Sequence, residues 1–493
     1  MSRHASHRFL IALVLVGGVA FAQGGRREPI PANLKTGFES TETKSAEEIL
    51  KFLAGPECEG RDTGSRGYEV AAQYVADRLK EFGVQPGMPD GTYFQMVPFT
   101  RRRASETESY LEMGDVRLTC GKEVTFWPFD GDVEHSLVFV QAGSEGKLED
   151  SKPLRGAIVI LNTTADYLSP IMGQIRRERP KAIIKVVETI GAVPSSVDRP
   201  RREVWGAIDR KSALRLATLG GVPDRLLKAA GDKADARAAV TRIPGRLVVK
   251  TISEEVGVPN VVGVLPGSDP TLKDEYVICG AHLDHLGVQE DGAIRYGADD
   301  DGSGSTGLLL LARALAKNPE APRRSVMFLF FCAEEKGLIG SKYYCDHPTV
   351  PHAKVVCELQ MDMIGRNEEK KAGGRQGAEK ASDNVRTMHL VGSERLSLEL
   401  HQKILAANRH IGFEFEYDEE SVYTRSDHYN FARVGIPVAF LFSGFHPDYH
   451  MVTDTVEKIN FVKLTDTARL VYLVVHSVAN QTARLRLDGK DQK

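Results

Sequence analysis

The sequence predicts an α/β protein, a central β-sheet flanked by helices on both faces, with a smaller β-rich domain inserted in it. Three observations predict it. Continuous apolar runs of strand length recur at residues 261–265, 276–279, 325–332, 355–361 and 437–442. Helical patterns fall among and after them, at 305–317, 396–411 and 461–482. Apolar strands alternating with helices belong to a sheet covered on both sides. Third, the pattern changes between residues 101 and 251, where short strand-like stretches are separated by Gly-, Ser- and Pro-containing turns. At 493 residues the chain is too long for one average domain and suits two.

Residues 1–22 read as an export signal. Arg3 and Arg8 make a basic start, residues 9–21 an apolar run, and Ala20-Phe21-Ala22 a small-x-small cleavage site. The mature chain is then expected to begin at Gln23, secreted or periplasmic. An uncleaved anchor is the alternative, but the run is short against the about 20 residues of a bilayer span. No later stretch is long enough to cross a membrane. Cleavage removes Arg3 and Arg8 and takes the net charge from −3 to −5. That mild value offers no electrostatic case for nucleic acid. The basic pieces at 101–103, 176–177 and 201–202 are interrupted by acids and prolines and read as solvated surface.

Residues 23–43, rich in Gly, Pro and charge, read as a flexible lead-in. A short helix is expected over 45–53, then a turn at CEGRDT, residues 58–63. A long amphipathic helix follows at 65–82, with Val70, Ala71, Tyr74, Val75, Leu79 and Phe82 on one face. Residues 44–100 and 252–485 are assigned to the main domain and 101–251 to the insert, with strands at 136–140, 157–161, 183–187 and 246–249. Residues 368–384 read as a flexible surface loop and 486–493 as a tail. Of six cysteines, Cys279 and Cys332 lie in apolar runs and read as small buried hydrophobes, while Cys345 and Cys357 are close enough in sequence to pair. The density is too low for a disulfide-built fold, and there is no CxxC.

Five metal-type side chains stand in order on this frame: His282, Asp299, Glu335, Asp362 and His450. Two imidazoles and three carboxylates suit two zinc-like ions sharing one carboxylate, with Glu334 as an additional base. Most follow strand C-terminal ends, where ligands bind in open α/β sheets. In GAHLDHLG (280–287), Asp284 can accept from the second ring nitrogen of His282; a surface His-Asp pair is the alternative. In GADDDGSGS (297–305), Asp299 is the expected bridging carboxylate, and Asp300 and Asp301 are expected to hold the loop and cap the next helix. A calcium-type loop or plain acidic turn competes, but Leu310 stands where an EF-hand needs its closing Glu. In FFCAEEKGLIGS (330–341), adjacent glutamates point to opposite sides of extended chain, so Glu335 is assigned to metal and Glu334 to the attacking water. A solvated, acid-rich helix start is the other reading. Asp362 stands alone among apolar residues in LQMDMIGR, held by a cation or by backbone donors. HPDYHMVTDT (446–455) offers His446 and His450, of which His450 is chosen with the whole set in view.

These motifs resemble the dizinc exopeptidases that include bacterial leucine aminopeptidases and glutamate carboxypeptidase. The matching pieces are GAHLDHLG, GADDDGSG, AEEKGLIGSKYY, MDMIGR, SDHYNF with GIP, and DYHMVTDT, across about residues 255–480. GRDTGSRGYEVAAQYVADRLKEFGVQP, from Gly60, extends the likeness towards the N-terminus. The resemblance implies a mixed central sheet between helices and two Zn2+ ions, with Co2+ or Mn2+ as substitutes. One ion would be held by Asp299, Glu335 and His450, the other by Asp299, Asp362 and His282, with a cis peptide at 299–300. It implies peptide hydrolysis in which Glu334 takes a proton from a metal-activated water and returns it to the leaving amine. From their positions in the sequence, rather than from the resemblance, Tyr423 or Tyr449 is expected to donate to the oxyanion. The insert is similar to a protease-associated domain through KPLRGAIVILNTT, while residues 185–239 depart from it. The expected activity is an aminopeptidase. A carboxypeptidase, using Arg366 or Arg425 for a substrate carboxylate, is the first rival. A non-catalytic receptor-like member is the second, and a single-metal aminoacyl cyclase the third.

Overall fold

A computed structural model describes residues 27–492, apart from 144, 165–168, 192, 198–202, 229–234, 290–292 and 371–378. The expected signal segment, and the middle of the loop expected at 368–384, lie outside the described residues.

The apolar runs pair into a ten-stranded mixed sheet. Its centre is four parallel strands in the spatial order Val438–Phe442, Val355–Met361, Tyr276–His282 and Ser325–Phe331. All four are buried throughout, except for partial exposure at Tyr276. That is why they read as unbroken apolar runs rather than alternating ones. Antiparallel strands flank them: Thr387–Val391 on one side, Thr251–Leu265 and then Phe94–Ala104 on the other. Helices Arg66–Glu81, Gly302–Lys317 and Phe461–Ala479 share the largest apolar core with one face of the sheet. Ile339–Asp346 and His428–Arg433 cover the other face.

Residues 110–249 carry a second sheet of eight strands. It has a parallel centre, Gly131–Ala142, Ile158–Thr163, Ala182–Val187 and Val204–Asp209, with helices Pro170–Arg177 and Arg210–Gly220. The stretch at 185–239 therefore holds α/β structure that its weak pattern did not announce. The two sheets are joined by a ribbon in which Phe94–Ala104 pairs along Thr251–Leu265, Ala104 opposite Thr251.

Two expectations are corrected. Inside the expected lead-in, helix Lys35–Glu39 docks on the core, Leu34 and Phe38 packing into it. Gly37 permits this, since a Cβ there would lie 2.4 Å from the Tyr472 hydroxyl and 2.6 Å from the Ala314 carbonyl oxygen. Arg469 then ties down Thr41 through the hydroxyl and carbonyl oxygens. The six cysteines are all buried free thiols, so Cys345 and Cys357 do not pair. Cys357 faces the core below helix Phe461–Ala479, and Cys345 packs in the cluster on the opposite face.

Candidate metal centre and active site

The C-terminal ends of the four parallel strands converge. His282 ends its strand, Glu334 and Glu335 follow Ser325–Phe331, Asp362 follows Val355–Met361, and His450 lies in the segment after Val438–Phe442. Three residues at these turns carry positive φ without being glycine: Ala333 at 56°, Met363 at 53° and His450 at 60°. Each such conformation costs about 1–3 kcal/mol and concentrates where side chains must be aimed.

The central carboxylate is Asp300, not Asp299. One oxygen of Asp300 lies 3.2 Å from His282 Nε2, and the other 3.0 Å from His450 Nε2 and 3.8 Å from His285 Nδ1. Asp299 faces away: its Oδ1 accepts from the Gly365 amide at 2.7 Å and its Oδ2 lies 3.3 Å from His446 Nε2. Asp301 is the N-cap of helix Gly302–Lys317 and also accepts from the His282 and Met363 amides. With the third acid committed to the cap and the first to Gly365, only the middle one is free to face the cluster. The cis peptide is likewise one residue later than expected, at Asp300–Asp301.

Two groups of donors meet at Asp300. His282, Asp300 and Asp362 place one ligand atom each within 4.8 Å of one another, and so do His285, Asp300 and Glu335. His450 Nε2 joins the second group, 3.3 Å from Glu335 Oε2. His285, the fourth residue of HLDH, was not among the expected ligands. Its Nδ1 lies 2.9 Å from Glu335 Oε1. The signal was present in the motif, but an imidazole beside Asp284 has no pattern of its own to distinguish it. His446, passed over in favour of His450, does remain outside both groups.

Asp284 acts differently from the expectation. His282 Nδ1 lies 3.0 Å from the Asp284 backbone oxygen and 3.8 Å from its carboxylate. The carboxylate instead accepts from the Thr63 hydroxyl at 2.9 Å and from the amides of Glu334 and Glu335 at 3.0 and 3.4 Å. It thereby orients the turn that presents both glutamates. Asp362 Oδ2 accepts from the Ser426 hydroxyl at 2.7 Å, leaving Oδ1 3.5 Å from His282 Nε2.

The electrostatics fit a cation site. Burial pushes the Asp300 carboxyl up, but the His282, His450 and His285 imidazoles outweigh it and hold the group well below the usual range. Burial likewise opposes ionisation of Glu335, and His285 and His450 nonetheless bring it down to about 2. Burial lowers His450, yet Asp300 and Glu335 raise it to about 10. Asp300 Oδ2, Glu335 Oε1, His450 Nε2 and His285 Nδ1 lie in ion-pair contact with one another but in no well-formed hydrogen bond, and His285 Nε2 makes none. Buried polar atoms left in this state mark a missing partner, and imidazole with carboxylate is a donor set for zinc. A separate group, Glu368, His389 and Glu416, already has a cation of its own: Lys370 Nζ lies 3.0 Å from Glu368 Oε1.

Glu334 opens on the same pocket as His282, Asp300, Asp362 and His450. Burial first, then Glu335, Asp427 and Asp362, push its carboxyl well above the usual range, against the pull of His282. Met363, Val422, Phe440, Phe442 and Phe445 form an apolar wall, with Tyr449 and Arg425 at its edge. The Tyr449 ring stacks on His450 at 3.8 Å, and its hydroxyl accepts from Arg425 Nη2 at 3.3 Å. Tyr423 is not brought to the pocket. Its ring lies under the Arg395 guanidinium at 3.9 Å and packs against His428.

Residues 260–475 match the sequence profile of peptidase family M28. The leupeptin-inactivating enzyme 1 of Streptomyces exfoliatus is 29% identical over 273 residues, 53% of this chain and 54% of that protein. A probable leucine aminopeptidase of Arthroderma otae is 27% identical over 229 residues, 45% of this chain and 58% of that one. The chain thus spans little more than half of these relatives. Among solved structures, a zinc aminopeptidase from Bacillus subtilis superposes with a TM-score of 0.54 at 17% identity, covering 92% of this chain and 99% of that one. An aminopeptidase from Aneurinibacillus sp. strain AM-1 gives 0.51 at 20% identity, covering 93% and 99%. At such identities these two similarities establish the mixed α/β fold.

Proposed function

We propose that the protein, whose residues 260–475 match the profile of peptidase family M28, is an exported zinc aminopeptidase in which Asp300 would serve both of two metal sites. The observation that carries this is the position of Asp300 in both donor groups, with Glu334 and an apolar pocket beside them. His282, Asp300 and Asp362 would hold one ion. Asp300, Glu335 and His450 would hold the other, with His285 in reach of the same carboxylates. When bound, zinc supplies a Lewis acid that polarises the scissile carbonyl and acidifies water; cobalt or manganese suit the same donors.

The chain's own residues do the rest. Glu334 takes the proton from the attacking water and delivers it to the leaving amine. Its carboxyl opens on the pocket beside both donor groups. Burial raises the Tyr449 phenol, which stays protonated and can donate to the carbonyl oxygen as charge builds on it. The wall of Met363, Val422, Phe440 and Phe442 favours an apolar first side chain. Against the carboxypeptidase reading, Arg366 is engaged with Asp448 at 3.0 Å and Asp454 at 4.0 Å, so of the two candidate cations Arg425 alone lines the pocket.

The test is hydrolysis of leucyl, phenylalanyl, arginyl and glutamyl amides, and of their N-acetyl forms, with a chelator and after zinc is returned. Leucyl and phenylalanyl amides should be cleaved fastest, only with metal and only with a free amine. Preference for the N-acetyl substrates would overturn the aminopeptidase assignment. Activity that survives complete metal removal would overturn the mechanism.

A further inference from the structure

Five segments carry the candidate ligands, and one short turn reaches three of them, those of His282, Asp300 and Glu335. We propose that Arg61, together with Thr63, is a positioning clasp that forms the metal centre in advance of metal. This rests on the site assignment above.

The Arg61 side chain is completely buried, and every acceptor it meets is a main-chain carbonyl. Nε donates to Leu283 O at 2.8 Å, Nη1 to Leu53 O at 2.6 Å and Tyr296 O at 2.8 Å, and Nη2 to Gly297 O at 2.8 Å. Leu283 separates His282 from Asp284, and Gly297 opens the loop that carries Asp300. One rigid guanidinium therefore locks two ligand segments to each other and to the end of helix Thr43–Leu53.

The main chain of the turn adds to this. Arg61 O accepts from the His285 amide at 3.1 Å, and Gly60 O from the Gly287 amide at 3.0 Å. Thr63 completes the connection. Its hydroxyl donates to Asp284, whose carboxylate also accepts from the Glu334 and Glu335 amides. The turn is shaped for this contact. Gly60 has φ of 68°, and a Cβ there would sit 2.3 Å from Arg295 O.

A buried cation with no carboxylate in hydrogen-bond contact is expensive unless its donors are satisfied. Here the donors are spent on the loops that aim the metal ligands. A lysine is a point charge and cannot reproduce the fork.

Two variants test the clasp, Arg61→Lys and Thr63→Val. Three quantities are read: the zinc dissociation constant by chelator competition, hydrogen exchange in metal-free protein, and thermal midpoint. Each variant should bind zinc about 10–100-fold more weakly, the range for lost support behind metal ligands. In metal-free Arg61→Lys, residues 283–287 and 295–301 should exchange faster while strand Ser325–Phe331 exchanges as in the parent. A lower midpoint with unchanged zinc affinity and unchanged loop exchange would make Arg61 a purely structural residue and overturn the clasp. If Arg61→Lys does not fold, Thr63→Val decides, and parental zinc affinity in it overturns the proposal. If the parent itself binds no zinc, the site assignment fails, and exchange of the two loops in metal-free Thr63→Val then decides the clasp.

Discussion

Three adjacent aspartates show how much one residue matters. Asp299, Asp300 and Asp301 are chemically identical, yet one holds a backbone amide, one faces the histidines and one caps a helix. Asp300→Asn should cut zinc well below that of the parent, whereas Asp299→Asn should lower it far less; equal losses by elemental analysis would overturn the proposed assignment of the shared carboxylate to Asp300. Glu334→Ala should keep parental zinc and lose at least about 100-fold in turnover, the lower range for a general base. Turnover near that of the parent would remove Glu334 from the proton path.

At the scale of elements, the helices that cover the sheet supply two measurable expectations. Helix Lys35–Glu39 approaches the core only because Gly37 has no side chain, so Gly37→Ala should destabilise the fold by about 1–3 kcal/mol in denaturant titrations, the usual cost of overpacking. Wild-type stability would mean that this helix gives way at no cost. His476, on helix Phe461–Ala479, is buried against Tyr472, and burial lowers it from an ordinary 6.5 to about 4. Between those values the unfolded chain binds the proton and the folded protein does not. The contribution is therefore complete above pH 6.5 and lost as pH falls towards 4, by up to about 3 kcal/mol. His476→Gln should flatten the pH dependence of stability across that window, and an unchanged slope would place its origin elsewhere.

At the scale of the whole molecule, the proposed metal site would link metal binding to folding, because the donor groups come from strand ends distant in sequence. Zinc removal should lower the thermal midpoint and zinc return should restore it, since a ligand of the native state alone stabilises that state. Equal midpoints would show that the buried acids and histidines need no cation. No helix among the described residues is long and apolar enough to cross a membrane. The export reading is checked by the N-terminus of the mature protein, expected at Gln23; a retained Met1 in protein from the native host would overturn it.

Much of the fold was legible in the sequence. Strands buried on both faces read as unbroken apolar runs, and helices such as Arg66–Glu81 and Phe461–Ala479 showed their period or their length. The location of the candidate ligands at strand ends was legible for the same reason: local pattern sets where a strand stops. Tertiary structure alone decided which acid of Asp299, Asp300 and Asp301 faces the histidines, that His285 joins them, that Tyr423 lies under Arg395, and that Arg61 is buried behind the ligand loops. Those outcomes depend on caps, backbone donors and neighbours far away in the chain. A side chain's type is written at its own position, but its direction is set by what packs around it.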